Sequence, residues 1–360
     1  ALMAQPFDLA RLAVTGGPVG VLEDVMHDVN VSLAVGSSGA AQFSISSTGT
    51  LAYLPGGISP EPQFSVVWVD RRGTVEPAIP RPMNSIYTQL SPDEKQILLG
   101  ASIYDLTRGT LTSLPGSPRR LVIWHPDGQR LTASTGRTES QLVWIPVDGT
   151  GAHKPLPTTE QGAPMSWSPD GKTLAYLKGS DDSTGREIWL LTLADGNAPA
   201  VGRRLVAGPV GYGRAEFSPD GSYLAYESRQ SGRPEVYVQA VSEGGRRLTI
   251  SSNGGFLPAW AGHGRELFYW EEGQNGTTRV MAVDVKLGES LSAGAPRALF
   301  EIKSADYPPG VAPIRPYDVT RDGTRFLMAQ VLQDSVEAPI THVVVVQNWL
   351  EELRRMASAK

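Results

Sequence analysis

The chain of 360 residues contains no cysteine, which excludes a disulfide framework, a thiolate zinc site and an iron–sulfur cluster. This absence leaves the redox compartment open, because a large extracytoplasmic domain can fold without disulfides. Long apolar runs are missing as well. The stretch THVVVVQNWL falls far short of the ~20 residues that cross a bilayer as a helix, so no membrane span is expected in this chain. Nor is charge of one sign concentrated: the formal net charge is −5, and basic residues occur as scattered pairs such as Arg71-Arg72, Arg119-Arg120 and Arg246-Arg247. Without a continuous cationic surface, nucleic acid is not an expected partner. Helical periodicity is lacking until NWLEELRRMA, which reads as a short C-terminal helix or tail over 348–360.

What the chain does have is turn residues and short β-forming runs. Its 39 glycines and 28 prolines point to many turns, while 40% hydrophobic and 19% charged residues describe a chain able to bury a core. The stretch FSPDGSYLAYESRQSGRPEVYV at 217–238 shows the pattern. Pro219 fixes φ, Asp220 can accept hydrogen bonds from nearby backbone, and Gly221 can adopt positive φ, so the segment reads as strand, tight turn, strand, turn, strand.

That unit recurs. Seven copies begin QFSISSTGTLAYL at 42–54, QLSPDEKQILLG at 89–100, VIWHPDGQRLTAS at 122–134, MSWSPDGKTLAYL at 165–177, AEFSPDGSYLAYE at 215–227, PAWAGHGRELFYW at 258–270 and YDVTRDGTRFLMA at 317–329. A second element follows each: VVWVDRRG at 66–73, IYDLTRG at 103–109, LVWIPVDG at 142–149, EIWLLTLADG at 187–196, EVYVQAVSEGG at 235–245, RVMAVDV at 279–285 and THVVVVQNW at 341–349. The turn residues at 49, 94, 128, 171, 221, 264 and 323 are spaced at about 45 residues, the size of a four-stranded propeller blade. The fold expected is therefore an all-β propeller of four-stranded blades, a single domain over 1–347 followed by the tail. Seven blades is the count, with six and eight as alternatives.

Three irregularities accompany this reading. The second interval is only 34 residues, so that blade is either trimmed or lacks a loop, the latter being favoured. Glu94 stands where the turn glycine is expected. The segment LMAQPFDLARLAVTGGPVGVLED at 2–24 resembles VMAVDVKLGESLSAGAPRALFEI at 280–302, which suggests that it completes a blade whose front half is the C-terminal copy and so closes the ring. Ala1 is not an initiator methionine, and ALMAQPFD lacks the basic–apolar layout of a signal peptide. It reads as a strand entered partway, in a processed product or a part of a longer protein.

The Ser-Pro-Asp-Gly turns with the LAY and EVYV segments resemble the WD40-like, TolB-like propeller family. More narrowly, LMAQPFD, SPDGSYLAYESRQSGRPEVYVQ, GRELFYW with VMAVDV, and YDVTRDGTRFLM through ITHVVVVQNWLEELRR are similar to the extracytoplasmic C-terminal region of bacterial receptor-type serine/threonine kinases and related standalone proteins. The resemblance covers essentially the whole chain. It implies a sensory or protein-interaction propeller on the extracytoplasmic or periplasmic side, belonging to a parent tethered to the membrane. Kinase activity does not carry over, since the chain has no Gly-rich ATP loop and no HRD or DFG segment.

Chemical sites compete poorly with structural explanations. His27, His125, His153, His263 and His342 form no ligand-spaced cluster. Asp93, Asp127, Asp170, Asp220 and Asp322 precede turns, where each carboxylate can satisfy local backbone N–H groups. Asp127-Gly128, Asp170-Gly171, Asp220-Gly221 and Asp322-Gly323 are accordingly assigned as structural turns, with no metal or cofactor. The acidic loop KGSDDSTGRE at 178–187 lacks the alternating ligands of a calcium loop. No Gly-x-Ser-x-Gly elbow is present. Trp68, Trp124, Trp144, Trp167, Trp189, Trp260 and Trp270 read as packing between blades.

The loops leading into first strands approach the central channel from one face, where one loop per blade can form a multisite pocket. The candidates there are Tyr87, Arg119, Arg120, Tyr212, Arg214, Arg315 and Tyr317, with arginine suited to carboxylates and tyrosine to stacking plus a hydrogen bond. The favoured function is noncatalytic recognition of a peptide, protein or small molecule. A lactonase-like hydrolase with a channel metal, and a structural interaction domain, are the alternatives.

Overall fold

The computed structural model describes residues 2–23, 25–26, 41–55, 63–114, 122–135, 141–149, 152–179, 186–193, 200–207, 214–288, 291–308, 315–332 and 342–358. The chain divides into two compact units, residues 63–332 and residues 1–62 with 333–360.

In the larger unit the described strands form six antiparallel sheets, each containing a run of four. Blade 1 runs Gln89–Leu90, Gln96–Leu99, Ser102–Asp105, Thr110–Ser113. Blade 2 runs Val122–Trp124, Arg130–Thr135, Gln141–Pro146, Lys154–Pro155. Blade 3 runs Ala163–Trp167, Thr173–Gly179, Arg186–Thr192, Gly202–Val206. Blade 4 runs Glu216–Phe217, Tyr223–Ser228, Glu235–Ala240, Arg247–Thr249. Blade 5 runs Phe256–Trp260, Glu266–Glu272, Thr277–Lys286, Arg297–Lys303, with Ser292–Ala293 paired on the end of its long third strand. Blade 6 takes its first two strands, Tyr317–Val319 and Arg325–Val331, from one end of the unit and its last two, Phe64–Asp70 and Val75–Pro77, from the other.

The period-2 alternation seen in the sequence explains why the blades pack. Leu224 and Tyr226 enter the cluster shared with Met165 and Ala175 of blade 3. Their neighbours Tyr223 and Ala225 enter the cluster shared with Trp260 and Leu267 of blade 5. A strand buried on both faces is thus cemented to both neighbouring blades. Six such clusters fill the six interfaces, the last joining Val66 and Leu327 of blade 6 to Leu90 and Ile97 of blade 1. The ring is closed, with no interior sheet edge left for another chain.

The closing partners differ from those expected. Hairpin 317–331 pairs with Phe64–Asp70, in register from Arg325 opposite Asp70 to Val331 opposite Phe64; the segment 2–24 does not complete that blade. Correspondingly, 64–70 does not follow hairpin 42–54, and Val344–Val346 pairs with Leu51–Tyr53 instead. The repeats look alike locally, so the sequence does not reveal at which point in the repeat the ring is cut. The short second interval is a tight hairpin, with Leu99 opposite Ser102 across Gly100, whose φ is 58°.

The turns behave as their chemistry requires. In blade 3 the Ser168 hydroxyl donates to Asp170 Oδ1 at 2.5 Å, Lys172 N donates to the same oxygen at 3.1 Å, and Thr173 N donates to Ser168 Oγ at 2.9 Å. Gly171 completes the turn at φ 70°, donating its N–H to Ser168 O at 2.8 Å. The pattern repeats at Ser91 with Asp93, Ser218 with Asp220 and Thr320 with Asp322. Hydroxyl donation from Ser91, Ser168 and Thr320 is the main cause holding Asp93, Asp170 and Asp322 below the usual carboxylate range. In blade 2 His125 replaces the serine, its Nδ1 accepting from Asp127 N at 3.2 Å. Glu94 does form the turn, at φ 58°, and its Oε1 accepts from Arg321 N of blade 6.

The smaller unit holds two two-stranded ribbons, Leu2–Ala4 with Val19–Leu22 and Phe7–Asp8 with Ala13–Val14. It also holds a three-stranded sheet in which Leu51–Tyr53 lies between Phe43–Ile45 and Val344–Val346. A helix, Trp349–Ser358, begins with Glu351 and Glu352 in its first turn and carries Arg355 in its last, matching the helix dipole. Trp349, Leu51 and Val21 form this unit's core.

Candidate functional site

Strand direction alternates in each blade of the larger unit, so the Asp-Gly turns share one face. The segments leading into first strands, and those joining second to third strands, share the other, here termed the loop face. On each first strand, the residue two positions before the turn serine, or its equivalent, belongs to the innermost strand nearest the axis. These residues are Gln89, Ile123, Ser166, Glu216, Ala259 and Asp318.

Where that residue is polar, it binds the next blade. Gln89 Oε1 accepts from Trp124 N at 3.4 Å, Ser166 Oγ from Phe217 N at 3.0 Å, Glu216 Oε2 from Trp260 N at 3.4 Å, and Asp318 Oδ2 from Leu90 N at 2.8 Å. Four of six junctions are therefore stitched by one side chain accepting from the neighbouring inner strand. Ile123 and Ala259 lack an acceptor, and their two junctions are bonded elsewhere, by Trp167 Nε1 donating to Thr132 Oγ1 between blades 2 and 3 and by the Tyr317 hydroxyl donating to Leu257 O between blades 5 and 6. First strands are otherwise short of partners on their axial side, and these bonds satisfy N–H groups that would be costly to bury unpaired.

Arg315 joins this ring to three blades. It is 1% exposed. Its Nη1 donates to Glu216 Oε2 at 2.5 Å and to Pro258 O at 2.8 Å, its Nη2 to Asp318 Oδ1 at 2.5 Å, and its Nε to Tyr317 O at 2.7 Å. Burial acts against the charge of Arg315, but Glu216 and Asp318 outweigh it and raise its pKa above that of ordinary arginine. Charge-assisted bonds from one planar guanidinium to carboxylates on blades 4 and 6 fix the axial geometry.

Arg214, two residues before Glu216, has no such arrangement. It is 7% exposed, and its Nε is sealed from solvent without a hydrogen-bond partner. Burial foremost, and then the charge of Arg315, lower its pKa, while Glu216 and Asp318 act in the opposite direction.

The remaining expected site residues fall into three groups. Tyr317 is wholly buried, stacked on Trp270 at 5.1 Å between ring centroids, and donates its hydroxyl to Leu257 O at 2.6 Å; it is a packing residue of the interface between blades 5 and 6. Tyr87 is half-buried, with its N–H donated to Ser85 Oγ at 3.1 Å. Arg119, Arg120 and Tyr212, and most of the acidic loop at 178–187, lie outside the described residues. Of the tryptophans, Trp124, Trp167, Trp260 and Trp270 belong to interblade cores. Trp68, Trp144 and Trp189 sit further out under the cations of Arg325, Arg130 and Lys178.

The sequence reading did not single out Glu216 and Asp318, the carboxylates that make the centre. Aligning the copies on their turn serines would have exposed the position. It also passed over Glu227, which is 6% exposed near the loop-face end of its strand and accepts from Leu257 N. Burial raises its pKa to about 7. Among the described residues no group of three or more His, Asp or Glu side chains is placed to hold a metal ion, and no helix is long and apolar enough to cross a membrane.

A closed ring of four-stranded blades defines the larger unit as a β-propeller. The family described as the TolB beta propeller domain, PD40, matches residues 107–313, and the chain belongs to that family. No curated protein matches the sequence. Among solved structures, a putative TolB from Agrobacterium tumefaciens is similar at 18% identity and a TM-score of 0.57, over 75% of this chain and 99% of that one. TolB from Acinetobacter baumannii matches at 17% identity and a TM-score of 0.44, over 78% of this chain and 65% of that one. A putative 6-phosphogluconolactonase from Bacteroides uniformis matches at 15% identity and a TM-score of 0.46, over 84% and 96% of the two chains. The Agrobacterium likeness is one of fold.

Proposed function

We propose that this chain is a noncatalytic binding propeller that recognises a peptide, protein or small molecule at the loop face of its axis. It would act on the extracytoplasmic or periplasmic side of a bacterial cell, as the outer part of a larger signalling protein. The similarity of its terminal and central segments to the outer region of receptor-type kinases supports the signalling context, and the TolB family supports the compartment. The observation that carries the reading is the loop-face centre itself. Arg315 is committed to holding blades together, whereas the Nε of the neighbouring, buried Arg214 has no hydrogen-bond partner among the described residues. The lactonase-like alternative would need axial carboxylates free for a cation, and Glu216 and Asp318 are instead bound to Arg315.

Site-directed photocrosslinking tests this. A photoreactive residue replacing exposed Ser252 or Gln274, on the loop face, should capture a discrete partner identified by mass spectrometry in the cells that make the protein. The same residue at Lys172 or Arg108, on the turn face, should not. Capture from the turn face alone, or calcium-dependent lactone hydrolysis by the purified chain, overturns the proposal.

A further inference from the structure

We infer that the open edge of Leu2–Ala4, in the smaller unit, is the docking site for one further β-strand from a partner polypeptide, antiparallel to it and apolar on both faces. The ribbon that presents this edge reproduces the outer half of blade 5. Leu2 opposite Leu22, Met3 opposite Gly20 and Ala4 opposite Val19 correspond, position by position, to Val280 opposite Phe300, Met281 opposite Ala298 and Ala282 opposite Arg297. Even the register shift falls at the same step, between Leu2 and Met3 here and between Val280 and Met281 there. Leu2–Ala4 and Val19–Leu22 are thus built as the third and fourth strands of a blade. In blade 5 the inner edge of the third strand is taken by Glu266–Glu272, with Tyr269 opposite Met281 and Trp270 opposite Val280. Among the described residues no strand takes that edge of Leu2–Ala4.

Side-chain exposure differs accordingly. Met3 is 53% and Phe7 52% exposed, whereas Met281 and Val285, at the same positions of blade 5, are 7% and 5% exposed. Met281 and Val285 lie in a cluster with Leu267 and Tyr269 of the adjoining strand. On the other face Val280 and Ala282 are wholly buried in a cluster with Phe268 and Trp270, while Leu2 and Ala4 are only half-buried against Leu51, Val21 and Trp349. A strand that fits the edge must therefore bring aliphatic or aromatic side chains to both faces, as Leu267, Phe268, Tyr269 and Trp270 do in blade 5. Its backbone would pair with the outward N–H and C=O groups of the edge. The same edge of a second copy suits the site less well, since it would bring Ala4, Gln5 and Pro6, with less apolar surface and no N–H at the proline.

Disulfide trapping tests both the pairing and its register, because the chain has no cysteine of its own. The full chain carrying Met3→Cys, a change at an exposed side chain, is mixed in glutathione redox buffer with peptides spanning residues 255–273, and the adducts are weighed by mass spectrometry. The peptide with Tyr269→Cys sets its thiol directly opposite position 3. It should cross-link about tenfold more than peptides with Phe268→Cys or Trp270→Cys, whose side chains leave the strand on the opposite face. With the unsubstituted chain and peptide, amide hydrogen exchange should slow at Leu2–Ala4 and stay unchanged at the other strand edges of the unit, Phe43–Ile45 and Val344–Val346. No adduct, equal adducts from the three peptides, or protection confined to Phe43–Ile45 or Val344–Val346 overturns the inference. A Met3→Cys homodimer formed in preference to the peptide adduct also overturns it and assigns the edge to a second copy.

Discussion

Replacing Arg315 by methionine should damage the propeller more than any other single change at its axis. Methionine keeps much of the volume but removes four hydrogen bonds, two to carboxylates and two to the carbonyls of Pro258 and Tyr317. Breaking a buried ion pair from one side costs about 3–5 kcal/mol, because the partner charges stay behind. Here the side chains of Glu216 and Asp318 retain 21% and 14% exposure, so water can reach them and the lower end, ~3 kcal/mol, is the expectation. For a domain of this size that corresponds to a fall of roughly 6–12 °C in melting temperature. Urea unfolding followed by tryptophan fluorescence measures the loss. The decisive comparison is the triple variant Arg315→Met, Glu216→Gln, Asp318→Asn. It removes the stranded charges, while its side-chain carbonyls can still accept from Trp260 N and Leu90 N. It should recover at least half of the lost stability. A single variant that loses less than ~1 kcal/mol, or a triple variant no more stable than the single, would refute the view that Arg315 organises the axis.

Other perturbations test the blades around it. Burial raises Glu227 from 4.5 to about 7. Below pH 4.5 it is protonated both folded and unfolded, whereas between 4.5 and 7 only the unfolded chain releases the proton. Stability therefore falls as pH rises through that window, by about 3 kcal/mol in total, and Glu227→Gln should flatten this slope in unfolding curves taken from pH 4 to 8. Gly171 and Gly128 have nearly the same φ, 70° and 68°, but a methyl group at 171 would sit 2.7 Å from His125 Cε1, and at 128 it meets nothing nearer than Pro92 Cδ at 4.0 Å. Gly128→Ala should cost about 1 kcal/mol for its backbone alone, and Gly171→Ala measurably more in the same urea assay. Arg71 donates to both Glu266 oxygens and to Gly323 O, tying the closing blade to blade 5. Arg71→Met should cost ~1–2 kcal/mol, since Arg71 is partly exposed and Arg297 still pairs with Glu266. Hydrogen exchange should accelerate first in Phe64–Asp70 and Arg325–Val331.

Much of the propeller is legible residue by residue because its parts are local. Ser168, Asp170, Gly171 and Thr173 settle their turn within six consecutive positions, and the alternation in YLAY assigns Leu224 and Tyr226 to one blade interface and Tyr223 and Ala225 to the other. Even Glu94, an unlikely residue for positive φ, is forced into place by the turn around it. Family membership follows from the same repetition. Other features depend on contacts between distant residues. Arg71 reaches Gly323 across 252 positions and Arg315 reaches Glu216 across 99, and no local pattern specifies either. Hairpin 317–331 could pair equally well, by its own sequence, with several similar strands; ring closure pairs it with 64–70, and that pairing buries Val67 and Met328 in one cluster with Phe268. Tertiary structure likewise separated arginines that the sequence had grouped, binding Arg315 into the frame through four hydrogen bonds and burying Arg214 with its Nε unpartnered among the described residues. Local turn chemistry determines what each blade is made of, whereas closing the ring determines which polar groups meet at the axis, because those groups come from segments far apart in the chain.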